Sequence, residues 1–441
     1  MPKSDSSPPK MKIAFIAAGA AGMYCGSCLR DNALAKGLME LGHDVALLPT
    51  YTPLRVDEKS VSTNDVFMGG INIYLQHKYR IFRSMPRFVD KMLDNPGLLK
   101  WVSKKSMTTN AEDLGGLTIS TLMGEIGPLK KEVLRLASWL GESYKPDIVL
   151  LTNSMFSGLA APIKRATGVP VLCAMQGEDL FLDGLTEPWK SKALQRLRKN
   201  AADVDAFIAT SAFYADFMEG YLDVPGDKIH IAPIGINLEG HGGPARKAGT
   251  GPKTIGYLAR ICPEKGLHIL LEAFRILVSK QPENDFVLKV AGYLGTRDVA
   301  YFEECKMKVE QFGLQDKVVF VGEVEREPKI EFLQKCDVLC VPTVYKEPKG
   351  LFVLEALANG TPVVLPAHGA FPELVEKTGG GILVEPGSPE KLADALLQLL
   401  HDDALRDRLG MEGKRRVQES FSNRNMAAAT AEIFRTCCIQ P

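Results

Sequence analysis

The sequence predicts an α/β protein made of two doubly wound domains, each a parallel sheet covered by helices on both faces. Three observations predict it. Short apolar runs bounded by turn residues alternate almost throughout with segments of helical period, the pattern of strands buried on both sides. The alternation stops at a Gly- and Pro-rich stretch near the middle of the chain and then restarts. A chain of 441 residues is also long for a single core, so two domains of about 200 residues each are expected.

In chain order, Met1 to Lys10 lack the apolar centre of a signal peptide and read as a disordered lead-in (residues 1–10). The N-terminal domain, residues 11–240, is expected to hold strands at Met11 to Ala18, Asp44 to Pro49, Ile71 to Leu75, Asp147 to Thr152, Pro170 to Met175, Ala206 to Thr210 and Ile229 to Pro233. A helix running through Leu29 to Leu41 follows the first of them. Glu239 to Pro252 is too rich in Gly and Pro for regular structure and is read as the linker. The C-terminal domain, residues 250–420, repeats the scheme with strands at Thr254 to Leu258, Phe286 to Ala291, Val318 to Val321, Val338 to Val341, Pro362 to Leu365 and Gly381 to Val384. Helix follows at Pro389 to Leu400 and again through Asp403 to Phe434. Doubly wound domains take ligands outside the carboxyl ends of their strands, so two of them facing each other are expected to define a cleft.

Composition narrows the partners. Fifty-three basic side chains cancel fifty-three acidic ones, so no overall field points to nucleic acid. No apolar run reaches the length that spans a bilayer. Nine cysteines, an odd number scattered through apolar segments, suit reduced thiols in a cytoplasmic protein better than a disulfide framework. The irregular region before Thr118 carries Lys78, Arg80, Arg83, Arg87, Lys91, Lys100, Lys104 and Lys105 against Asp90 and Asp94. That basic segment, 78–105, suits an acidic acceptor or peripheral contact with the inner membrane face; the alternative is a solvated helical face.

The most informative stretch runs from Glu347 through Pro348, Lys349, Gly350 and Leu351 to Glu355, and on to Gly360, Pro362 and Val364. Pro348 and Gly350 break what precedes them, Leu351 to Ala358 are good helix formers, and Gly360 with Pro362 stops the helix before a β-branched strand. No Ser, Thr or Asp caps the helix start, so its amides and the positive end of its dipole are available to a phosphate. Two glutamates in the setting E-P-x-G-L-x-x-L-E-A-x-A-x-G-x-P-V-V closely resemble the signature of the retaining glycosyltransferases of family 4. The resemblance is strong from Thr254 to Leu400 and looser from Met11 to Asn237.

That resemblance implies two Rossmann-like domains facing an inter-domain cleft, the GT-B fold, with the last helix (residues 421–441) crossing back to the first domain. It implies a nucleotide-diphosphate sugar as co-substrate, with no metal and no other cofactor. Glu355 would hold the ribose, Glu347 the donor sugar, and the amides around Gly350, Leu351 and Phe352 the diphosphate. Lys349 stands where the family has an aromatic residue, which leaves the sugar open.

Gly256 to Gly266 ends the first strand of the second domain and carries Arg260 and Lys265, two cations on the side where the Glu355 helix begins. Fixed cations stabilise the charge that develops on a departing nucleoside diphosphate. In the resembling family the corresponding Arg and Lys hold that diphosphate; here Ala259 replaces the glycine before Arg260. Gly19 to Gly26, with Gly22 at its centre, follows the first strand and lets a ligand approach the backbone closely; simple strand–helix packing is the other reading.

Cys25 and Cys28 in the same loop suit a redox dithiol or half a zinc site, or no more than small-residue packing. Asp203-Val204-Asp205 matches the D-x-D metal pattern of another glycosyltransferase fold, yet reads as a helix end. Gln176, Glu178 and Asp179 follow a strand and are expected to face the acceptor. Gln176 replaces a His usual in the family and can position a hydroxyl without acting as a base; Glu178 and Asp179 orient the acceptor or are solvated loop charges.

The reading that joins these features is a metal-independent retaining glycosyltransferase, with Arg260, Lys265 and Glu347 at the reacting centre and Gly22, Gly350, Leu351, Phe352 and Glu355 on the donor. The acceptor is a sugar, glycan or lipid. No carboxylate is evidently placed as a covalent nucleophile, so a same-face reaction is expected, in which the leaving phosphate helps deprotonate the acceptor hydroxyl. The alternatives are a nucleotide-sugar binder or epimerase-like enzyme of the same architecture, and a thiol oxidoreductase centred on Cys25 and Cys28.

Overall fold

The computed structural model describes residues 10–19, 26–63, 68, 76, 111–243 and 251–439. Two six-stranded sheets, parallel throughout, form the frame. The first comprises β1 (Lys12–Ala17), β2 (Asp44–Pro49), β3 (Ile148–Leu151), β4 (Val171–Met175), β5 (Ala206–Ala209) and β6 (Ile229–Ile231), in the order β2-β1-β3-β4-β5-β6. The second comprises β7 (Lys253–Leu258), β8 (Phe286–Ala291), β9 (Val318–Gly322), β10 (Val338–Cys340), β11 (Val363–Pro366) and β12 (Gly381–Val384), in the order β12-β11-β10-β7-β8-β9. This is the two-domain α/β GT-B architecture.

Burial explains which runs became strands. Every residue of β3, β4, β5, β10 and β11 is buried, as central parallel strands require. On β9, at the end of its sheet, Val319 and Val321 are exposed, so only one face is covered. Several strands end a residue or two inside the expected bounds, because the final ladder bond is made by the residue that leaves the sheet: Thr152 N donates to Ile16 O at 2.9 Å, and Asn153 then caps the next turn through Met155 N. The expected strand at Ile71 to Leu75, Gly22, Cys25 and the basic segment 78–105 lie outside the described residues.

The chain clusters into two compact units, one of Met1–Thr210, Ala215–Pro233 and Arg424–Pro441, the other of Ser211–Tyr214 and Ile234–Asn423. The second unit's long segment thus begins at Ile234, a few residues before the Gly- and Pro-rich stretch. Ile236 pairs with the 421–423 backbone through Ile236 N to Phe421 O (2.9 Å) and Asn423 N to Ile236 O (2.7 Å). Lys414 Nζ binds the carbonyls of Gly242 and Gly243 at 2.7 and 3.0 Å. The same pairing separates the helix Asp403–Ser420 from the last helix, Asn423–Ile439. No helix among the described residues is long and apolar enough to cross a membrane.

Strand order fixes where ligands can sit. In the second sheet the chain runs from β7 outward through β8 and β9, then returns to β10 on the other side of β7. The connections after β7 and β10 therefore part company at their carboxyl ends, the switch point where open α/β sheets bind ligands. In the first sheet, among the described strands, the corresponding point lies between β1 and β3.

Gly266 shows how tightly the second switch point is built. It ends the Pro263–Lys265 turn at φ 72° and begins the Leu267–Lys280 helix; a Cβ there would stand 1.9 Å from Pro342 O. Only a residue without a side chain lets the loops after β7 and β10 touch. Gly266→Ala is expected to lower stability by at least ~2 kcal/mol, from backbone strain and overpacking together. Urea unfolding followed by circular dichroism checks it, and an unchanged midpoint would mean that the loops yield freely.

Candidate functional site

At the second switch point two loops are joined by a buried ion pair. Lys265 Nζ lies 2.5 Å from Glu347 Oε2, with side-chain exposures of 18% and 5%. Tyr345 OH donates to the same oxygen and also lies 3.0 Å from Lys265 Nζ. The ammonium stands 5.0 Å from the Tyr345 ring centroid and 5.7 Å from that of Phe352, within reach of both aromatic quadrupoles. Val344 N donates to Glu264 O at 2.8 Å, so the loops are joined through the backbone as well. A third loop, after β11, closes on them: Ala370 N donates to Glu347 O at 2.8 Å.

Glu347 Oε1 turns toward the start of the next helix, where the amides of Lys349 and Gly350 donate to it at 3.3 and 3.4 Å. These bonds are long, so Oε1 is the looser of the two oxygens. Burial pushes the Glu347 carboxyl up, but the pull and hydrogen bond of Lys265, the Tyr345 hydroxyl and the nearby Lys349 charge outweigh it and bring it to about 2. The carboxylate is thus ionised across the whole neutral range.

The Leu351–Ala358 helix begins at Gly350 (φ 71°), with no side-chain cap and no acidic residue in its first turn. The amides of Leu351 and Phe352 meet no acceptor among the described residues. Phe352 is buried edge-on against Phe371, ring centroids 5.9 Å apart, which holds the first turn to the third loop. One turn further on, Glu355 Oε1 is 2.5 Å from Lys329 Nζ, with side-chain exposures of 14% and 8%. Its other oxygen takes no bond from the described residues. Arg260 stands at the carboxyl end of β7, about half exposed, 3.6 Å from Glu264. It is a separate, more exposed cation on the same loop as Lys265, with no bond to Glu347 among the described residues.

The first unit carries a second polar cluster at its own switch point. Asp31, fully buried, takes Thr152 Oγ1 at 2.5 Å, Gln176 Nε2 at 2.9 Å and Arg30 Nη1 at 3.2 Å. Gln176 Nε2 also donates to Thr152 O at 2.7 Å. Burial raises the Asp31 carboxyl against the pull of Arg30 and of these bonds. Glu178 is buried and accepts Gln176 N at 2.6 Å and Ser154 N at 3.0 Å, which ties the loops after β3 and β4. Glu178 is therefore not a solvated loop charge. Asp179 is half-buried in the first turn of the Glu178–Asp183 helix.

Family models match both halves of the chain: a glycosyl transferase 4-like domain over residues 32–235 and glycosyl transferases group 1 over residues 244–416. The chain belongs to the group 1 glycosyltransferases. An uncharacterised glycosyltransferase of Methanocaldococcus jannaschii is 24% identical over 93% of this chain and 94% of its own. Among solved structures, sucrose-phosphate synthase from Thermosynechococcus elongatus superposes with a TM-score of 0.68 at 19% identity, covering 97% of this chain and 99% of that one. Anabaena HepE in complex with UDP and glucose superposes at 0.67 with 16% identity, covering 97% and 100%.

In this glycosyltransferase, Lys265, Glu347, Gly350, Leu351 and Phe352 come together in one place, with Glu355 a turn away and Arg260 beside them. Gln176 and Glu178 sit in the first unit as buried connectors. Lys329 and Tyr345 were missed by the reading of the sequence, although one signal for Lys329 was present: it shares the buried face of the Arg326–Gln334 helix with Ile330 and Leu333. Cys28 is buried, and Asp205 is held by Lys164 at 2.7 Å and Val171 N at 2.8 Å, a strand-end tie.

The depressed Glu347 carboxyl has a consequence for stability. Its pKa falls from 4.5 unfolded to about 2 folded, so its contribution is complete above the unfolded value and is lost as pH drops through the folded one. Glu347→Gln is expected to be less stable than the parent at pH 7 by on the order of 3 kcal/mol, the gap closing between about pH 5 and 2. Denaturant midpoints of both proteins across that range measure it. A gap independent of pH would mean that the charge is not what the site uses.

Proposed function

We propose that the protein transfers a sugar from a nucleotide-diphosphate donor to an acceptor hydroxyl with retention of anomeric configuration. The observation that carries this reading is the ammonium of Lys265, held by Glu347 and Tyr345 beside an uncapped helix start at a switch point. Helix amides and a fixed cation in one place match a diphosphate. Lys265 and the amides of Leu351 and Phe352 then take the phosphate oxygens, Gly350 lets them approach, and Arg260 swings in from the half-exposed side. Glu355, steadied by Lys329, offers its free oxygen to the ribose diol. Glu347 offers Oε1 to hydroxyls of the donor sugar while Oε2 keeps Lys265 in place. HepE, solved with UDP and glucose, supports the donor class by likeness of fold.

The first unit supplies the acceptor's binding site in this reading. Gln176 and Glu178 set the shape of its loops, and Asp179, half-buried in the next helical turn, orients a hydroxyl. Glu347 and Glu355 are both ion-paired, which suits them to binding rather than to a covalent glycosyl intermediate. The acceptor therefore attacks on the face from which the diphosphate departs, and a phosphate oxygen takes its proton. Lys265 and the helix amides balance the charge that develops on the leaving group, without a metal ion.

Three measurements test this. Lys265→Met should lower kcat by roughly 10²- to 10³-fold, whereas Glu355→Gln should mainly raise the donor KM. NMR of the product should show the donor's anomeric configuration, and an inverted product would eliminate the same-face mechanism. Equal donor binding and turnover in both variants and the parent would remove the site from consideration.

A further inference from the structure

Arg30 lies in the second turn of the Gly26–Glu40 helix, just beyond the carboxyl end of β1. Its side chain is wholly buried, and among the described residues it makes one ion pair, through Nη1 to Asp31. Nε and Nη2 have no hydrogen-bond partner among the described residues. Those two atoms share an edge of the guanidinium, where two N–H bonds run parallel and match the two oxygens of a carboxylate or phosphate. Leaving a buried donor unmade costs about 1–3 kcal/mol, more on a charged group, and here both donors of one edge are unmade.

The surroundings hold that edge ready. Asp31 anchors the far corner of the guanidinium and is itself fixed by Thr152 and Gln176. Gln176 Oε1 and Ser154 Oγ, on the neighbouring loops after β4 and β3, are likewise buried and without partners among the described residues. One cation edge, one hydroxyl and one amide oxygen thus stand unsatisfied at the switch point of the first sheet. Burial already raises the Asp31 carboxyl, so a proton taken up there can keep the cluster neutral when an anion enters.

We propose that the Nε/Nη2 edge of Arg30 receives an oxyanion carried by the sugar acceptor, a phosphoryl or carboxyl group, with Ser154 and Gln176 taking adjacent hydroxyls. The acceptor is then an anionic sugar or polyol rather than a neutral one. This rests on the first unit being the acceptor-binding half of the enzyme. The anion edge itself does not depend on catalysis and can be tested without a donor.

The test is thermal unfolding in a Lys265→Met background, which removes the phosphate-attracting ammonium of the second unit. Glucose 6-phosphate, inorganic phosphate and glucose are titrated at matched ionic strength. Glucose 6-phosphate should raise Tm in a saturable way, glucose should not, and Arg30→Lys, which keeps the charge but loses the parallel edge, should weaken the effect at least tenfold. If Arg30→Lys fails to fold, Ser154→Ala should weaken it several-fold while the untitrated Tm stays near that of the parent. Identical shifts with and without the Arg30 or Ser154 change would overturn the proposal and leave the edge to trapped water. Inorganic phosphate acting as strongly as glucose 6-phosphate would assign the edge to free phosphate and overturn the acceptor. Nucleoside diphosphate binding to the Arg30→Lys single variant reports on the donor reading separately.

Discussion

The ion pair between Lys265 and Glu347 joins positions 82 residues apart and makes one site of two loops that leave adjacent strands. Taking both charges out of water is costly, and such pairs seldom add net stability. What this one supplies is position. With the carboxylate on one side and two aromatic rings beside it, the ammonium has little freedom, and it stops next to the first turn of the Leu351–Ala358 helix, whose Leu351 and Phe352 amides meet no acceptor among the described residues. The glycine at position 266 permits the same approach in the backbone, since any Cβ would strike Pro342 O.

The first unit uses the same device with different emphasis. Carboxylates again tie loops together, Asp31 between the first helix and the loops after β3 and β4, and Glu178 between those two loops. There, however, the cation is sealed inside, whereas Lys265 keeps part of its surface. A partly exposed ammonium can meet a ligand that comes and goes. A fully buried guanidinium with one edge unmade is committed to a narrower choice, because a poorly matched occupant leaves a charged donor unsatisfied in a dry place.

Glu355 and Lys329 extend the pattern along the helix. Half of the Glu355 carboxylate is spent on Lys329, which orients the other half and leaves it as a pure acceptor. Such an arrangement discriminates by hydroxyl placement rather than by net charge, because the pair together is neutral. The helix thereby presents amide donors at its start and a carboxylate acceptor a turn later, two chemistries separated by one helical pitch.

Sequence alone determined the described strands of both sheets and the uncapped helix, Leu351 to Ala358, that borders the Lys265–Glu347 pair. Buried parallel strands are written as apolar runs, and a Pro-x-Gly entry with a Gly-x-Pro exit brackets Leu351 to Ala358 whatever surrounds it. It also determined that Lys265, Glu347 and Glu355 belong together, since their spacing resembles one family's motif. Tertiary structure alone decided what each charge is doing. Lys329 meets Glu355 across 26 residues and Tyr345 meets Lys265 across 80, and no local pattern encodes such distances; Arg30 pairs with its neighbour Asp31, but only the fold seals that pair inside. Arg260 and Lys265 looked equivalent in the chain, yet one is half exposed and the other clasped. Gln176 and Glu178 were expected to face the acceptor, with a solvated loop charge as the other reading of Glu178; the fold buries both, and desolvation and hydrogen bonding are properties of neighbours that only folding brings.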